Sequence, residues 1–196
     1  MLTCSVIVSC PRLEWSKRLG AFLVGIWTVL FGLGCTPRHD WRVVNDPDGR
    51  WSATLPGKPV EVTRQLTLPT AADTGLPISL RLYAVRVGET RFTIGLAEPV
   101  STSTGSALEE IRQGLETAML RNLRATVSSR GQAPHRFGAK GEIQVEPNAP
   151  PVAAFLEMQT FIHAGAVIEA LVVGPVSEQH GEAIEQFFES LRVPAR

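Results

Sequence analysis

The chain has 196 residues, 44% of them apolar, with 19 Lys and Arg against 19 Asp and Glu and a formal net charge of zero. That balance argues against general nucleic-acid binding. Three cysteines, Cys4, Cys10 and Cys35, are too few for a disulfide-dense scaffold.

In chain order the first distinctive stretch is KRLGAFLVGIWTVLFGLGCTPRHD, residues 17 to 40. Ala21 to Leu33 is a run of thirteen uncharged residues, preceded by Lys17 and Arg18 and followed by Gly34 and Cys35. As a helix it would cover about 20 Å, short of the roughly 30 Å of hydrocarbon in a bilayer, so a signal-peptide core fits it better than a span. The uncharged stretch extends over nineteen residues from Leu19 to Pro37, which makes an uncleaved single-span inner-membrane anchor the alternative. Gly20, Gly25, Gly32 and Gly34 weaken that alternative.

A cysteine at the end of the apolar run, with Gly34 before it and Thr36-Pro37 after it, resembles the lipobox of bacterial lipoproteins. Gly32 departs from the pattern, which usually has leucine or another larger apolar residue three positions before the cysteine. The resemblance implies a diacylglycerol on the Cys35 thiol, removal of residues 1–34 as a signal peptide, and a palmitate-type acyl chain at the new N-terminus. Residues 35–40 then form a short tether and 41–196 a single domain. Cleavage would remove Cys4 and Cys10 together with Arg12, Lys17, Arg18 and Glu14, leaving 162 residues with sixteen basic and eighteen acidic side chains. A chain of that size buries a substantial core.

Trp41–Val44 and Arg50–Leu55 read as strands around the turn residues NDPDG. VEVTRQLTL alternates Val60, Val62, Leu66 and Leu68 against polar neighbours, which predicts a half-buried strand. After the loop PTAADTGLP, ISLRLYAVRV places Ile78, Leu80, Leu82 and Ala84 on one face, and RFTIGLAE places Phe92, Ile94 and Leu96 on one face. Ser106 stands three residues before Glu109 as in a capping box, and Leu108, Ile111, Leu115, Ala118, Met119 and Leu123 form a helical stripe ending near Ala125. Glu109, Glu110, Arg112 and Glu116 then face water. Thr126–Pro150, rich in Gly and Pro, predicts one or two short strands, with GEIQVE the most strand-like.

FLEMQTFIH and AVIEALVVG pair around Ala164-Gly165, apolar on both faces as in central strands. PVSEQHGEAIEQFFESL places Ala183, Ile184, Phe187, Phe188 and Leu191 on one helical stripe. A long hairpin followed by a helix thus occurs twice. The pattern predicts an α+β fold, an antiparallel sheet of about seven strands covered by two main helices. WSATLPGKP, LVVGP and FFESLRV further resemble the PsbP and Mog1-like α/β sandwich of small secreted or lipid-anchored bacterial domains, over roughly Trp41 to Val193. That resemblance implies an accessory or binding protein, since the known members are mostly such, although fold alone does not carry function.

His39, His135, His163 and His180 lack metal-site spacing, no nucleophile elbow or phosphate loop occurs, and no cofactor or metal site is expected. One charge asymmetry stands out. Between Glu116 and Glu142 there is no acid, while Arg121, Arg124, Arg130, Arg136 and Lys140 are all basic. They are the candidate face for an anionic partner, an acidic envelope protein or a phosphorylated glycolipid. The sequence therefore predicts a lipid-anchored module of the bacterial envelope, facing the periplasm from either membrane, that binds or supports a partner without catalysis. An envelope hydrolase with a site assembled from sequence-distant residues is the alternative.

Overall fold

The computed structural model describes residues 39–68, 75–101, 105–131, 133, 135–145 and 147–194. The chain separates after Pro37 into two units, and all described residues belong to the second, Arg38–Arg196. Its elements are β1 Arg42–Asn45, β2 Ser52–Leu55, β3 Val60–Leu68, β4 Leu76–Val87, β5 Thr90–Pro99, α1 Gly105–Asn122, β6 Thr126–Arg130, β7 Arg136–Ile143, β8 Val152–His163, β9 Ala166–Pro175 and α2 Gly181–Ser190. Strands β3 to β9 form one antiparallel sheet of seven strands in the order β3-β4-β5-β9-β8-β7-β6, and β1 pairs with β2 apart from it. This is the α+β architecture that hairpins followed by late helices predict.

The centre of the sheet is the β5–β9 pair, in register from Arg91 opposite Val173 to Ala97 opposite Val167. Alternation along these strands sends side chains into two cores. Phe92, Ile94, Leu96, Ile168, Ala170 and Val172 pack on one face against α2 and the β1–β2 hairpin. Ala97, Val167 and Leu171 pack on the other beneath Leu108, Ile111 and Leu115 of α1. Helices therefore cover opposite faces, and the central strands are buried on both sides, as the apolar runs predict.

The β1–β2 hairpin is fixed at its turn by charge. Gly49 adopts φ +71°, the left-handed conformation that glycine tolerates, and Arg50 then reaches three carboxylates. Its guanidinium donates to Asp46 (2.8 Å), Asp48 (2.8 Å) and Glu98 at the end of β5 (2.6 Å). Burial alone would raise the Asp46 carboxyl, but hydrogen bonds from the Arg50 side chain and backbone outweigh it and hold Asp46 below its ordinary range. Trp51, next in sequence, is buried and meets Tyr83 edge to face.

The helices differ from expectation in detail. Helix α1 starts at Gly105, so Ser106 lies inside it, and the Glu109 carboxylate turns to Arg112 and Gln113 instead of back to the helix start. Arg112, expected in water, is 9% exposed. Glu109 and Glu116 hold its guanidinium, at 2.6 and 3.0 Å. The terminal segment begins with a 3-10 turn, Val176–Glu178, before α2. The glycine-rich middle supplies two strands; of GEIQVE, Gly141–Ile143 closes β7 and Gln144 lies outside it. In β3 only Leu68 is fully buried, because this strand is an edge of the sheet.

Phe187 is fully buried and contacts both Phe92 and Phe188 edge to face, at 5.6 and 5.2 Å. Phe187→Ala should lower unfolding stability by about 3–5 kcal/mol through lost burial and a residual cavity, measured by urea denaturation. A change below about 1 kcal/mol would show that α2 is not part of the core.

Candidate functional site

Strand directions give the sheet two chemically different ends. At the proximal end lie the starts of β3, β5 and β8, the ends of β4, β7 and β9, and the C-terminus of α1. The first described residues enter there, with the Asp40 amide donating to the Pro56 carbonyl (3.2 Å). The distal end carries the β8–β9 turn, the start of β7 and the Arg50–Glu98 contact.

A groove of about 450 Å³ opens at the distal end between the tip of β8 and the segment after α2. His135, Phe161, His163, Leu191, Arg192 and Val193 line it. Two backbone hydrogen bonds between Ser52 and Arg192 (2.9 and 2.8 Å) fix the C-terminal wall to β2. His135, at φ +52°, precedes β7, and its carbonyl accepts from the Thr160 amide. The Arg192 guanidinium is oriented by the carbonyls of Glu189 and Leu191. No carboxylate lies among the described residues lining the groove. One guanidinium and two imidazoles suit it to hold a polar or anionic group.

The five basic residues singled out in the sequence do not gather there or on any one face. Arg121 and Arg124 are exposed at the proximal end, Arg121 in the last turn of α1 and Arg124 in the turn after it at φ +47°. Arg130 stands opposite Phe137, hence on the α1 face. Lys140 stands opposite Phe155 on the α2 face, and Arg136 shares that face. Arg136 is also engaged in the fold: it pairs with Glu185 (2.7 Å) and its guanidinium lies 4.5 Å from the Phe188 ring centre. Two-residue alternation and a bulge between Val127 and Ser129 separate residues that are close in sequence.

A polar cluster forms beside Arg136 that the sequence did not reveal. Gly138 leaves room over β7 for Ser129 and Glu157, since a β-carbon there would stand 2.5 Å from Ser129 Oγ and 2.9 Å from a Glu157 oxygen. Burial raises the Glu157 carboxyl, with Arg136 opposing and Glu185 reinforcing that shift. The neighbouring Ser128 hydroxyl donates to the Gly138 carbonyl (3.3 Å).

Glu169 is the most strongly raised acid among the described residues. It lies in β9 on the α1 face, 4% exposed, opposite Gly95 and Thr160. The Thr160 hydroxyl is buried without a partner. Burial pushes the Glu169 carboxyl up to about 7. A lone glutamate within AVIEALVVG was the available sequence signal. Glu169 lines neither described groove, and among the described residues no cluster of three or more metal-ligating side chains occurs.

Because its folded value lies above its unfolded one, the unfolded chain releases this proton first as pH rises. Stability is thus fullest below about pH 4.5 and falls until about pH 7, by roughly 3 kcal/mol if Glu169 acted alone. Glu169→Gln should remove that decline, seen as a growing stability gain over the wild type between pH 4.5 and 8 in urea titrations. Parallel stability curves for the two proteins would show that Glu169 is not buried as a neutral acid.

Against known proteins, no family model, no curated protein and no solved structure matches the chain.

Proposed function

We propose that the chain is a bacterial envelope lipoprotein, acylated at Cys35, whose domain binds or supports a partner without catalysing a reaction. The observation that carries this reading is the order of parts along the chain. A short apolar run ends in Gly34-Cys35, and the described residues of the domain begin at His39, four positions on. A lipid at Cys35 would thus join the membrane almost directly to the domain. The segment of the alternative single-span anchor, residues 19–37, lies outside the described residues; among those described, no helix is long and apolar enough to cross a membrane.

The two ends of the sheet support a display role. The tether enters at the proximal end, and the histidine and arginine groove faces the opposite way, accessible to an acidic envelope protein or a phosphorylated glycolipid. The PsbP and Mog1-like resemblance accords with an accessory protein. The hydrolase alternative would need a perturbed acid that touches substrate, and the strongly raised acid, Glu169, is enclosed.

Radiolabelled fatty acid should enter the wild-type chain and not Cys35→Ser, and the variant should leave the membrane fraction, because stable anchoring needs more than one acyl chain or a second attachment. Equal labelling of both chains would refute acylation at Cys35.

A further inference from the structure

We propose that the proximal end of the domain rests on the lipid bilayer, with Val60, Val152 and Val176 at the interface and Arg121 and Arg124 facing anionic headgroups. This rests on the acylation of Cys35. Four residue steps separate Cys35 from His39, and whatever their path they span at most about 14 Å. His39 and Asp40 enter at the proximal end, where Asp40 is bonded to Pro56. The lipid therefore holds this end against the headgroup layer, which is itself only about 5–8 Å deep on each side.

The chemistry of that end suits the contact. Of the six exposed valines among the described residues, Val60 (65%), Val152 (39%) and Val176 (44%) are proximal, and Val43 lies one residue into β1 from the same end. Val100 is distal, and Val127 lies on the β6 edge. An apolar groove of about 490 Å³, lined by Val145, Ala149, Pro150, Val152, Pro175 and Val176, adjoins these side chains. Glu89 and Glu178 also line it, but both are engaged. Glu178 accepts from the Glu89 amide (2.7 Å), and Glu89 pairs with Arg86. Gly88, at φ +61°, keeps that turn close, since a β-carbon there would stand 2.5 Å from a Glu178 oxygen. Arg121 and Arg124 are exposed and have no ion pair among the described residues. Tethering raises the local lipid concentration, so modest contacts suffice to hold the orientation.

The test uses the full chain, expressed and processed in bacteria, with a photoreactive benzophenone amino acid placed singly at Val60, Val152, Val176 or Val100. After irradiation in vesicles of zwitterionic lipid with about one-third anionic lipid, lipid adducts should form at the three proximal positions roughly fivefold or more above Val100. The combined Arg121→Ala and Arg124→Ala changes should lower that excess severalfold, because each removes a basic side chain that an anionic surface attracts. Equal lipid labelling at all four positions, or adducts to another protein at the proximal ones, would overturn the docking. The mass of the processed N-terminus is read in parallel. A chain acylated at Cys35 but lacking the proximal excess defeats the docking alone, whereas an unacylated Cys35 defeats the anchor on which it rests.

Discussion

The rest of the structure depends on the antiparallel pairing of β5 with β9. Each belongs to a separate meander, β3-β4-β5 or β6-β7-β8-β9, and this one pairing joins them into a single sheet. Both strands are buried on both faces, so a helix can pack on each side. The cost is topological: β5 and β9 are separated in sequence by α1 and three strands, and loop-closure entropy must be overcome before their contacts form. Each meander alone would leave its last strand, β5 or β9, unpaired along one edge.

The same pairing explains where polar groups are tolerated. Glu169 sits buried in the middle of β9 opposite a glycine, and its burial favours the neutral acid. Arg50 is accommodated differently, at the sheet's distal end, because three carboxylates meet its guanidinium and Glu98 ties the hairpin to β5. Both sheet ends expose turns and strand tips while the faces of the central strands are covered. One end lies beside the tether and the other away from it.

The central elements were legible because their periods are uninterrupted. Phe92, Ile94 and Leu96 keep a period of two, and Ile184, Phe187 and Phe188 keep a helical stripe; each set is buried as its spacing implies. Arg112 was not legible, since charge alone does not say whether two glutamates will hold a head group above the core. Strand β6 was obscure because all five of its residues are exposed, and β7 because Gly138 and Gly141 interrupt its apolar residues. Those glycines answer to contacts distant in sequence: a β-carbon at Gly141 would stand 2.4 Å from the Leu123 carbonyl. The grooves were invisible for the same reason, each being built from separated segments. The twice-occurring hairpin and helix proves a likeness of architecture only. A two-fold axis through the β5–β9 pair would place both helices on one face, and they cover opposite faces.

Native-state hydrogen exchange resolved by residue tests the central claim most directly. If β5–β9 pairing unites the domain, amides of Phe92 to Leu96 and Ile168 to Val172 exchange only through global unfolding, and buried amides in β4 and β8 share that same opening free energy. Exchange of β3–β4–β5 at one free energy and of β7–β8–β9 at a distinctly lower one, with α2 following the weaker half, would contradict it and make the two meanders independent units.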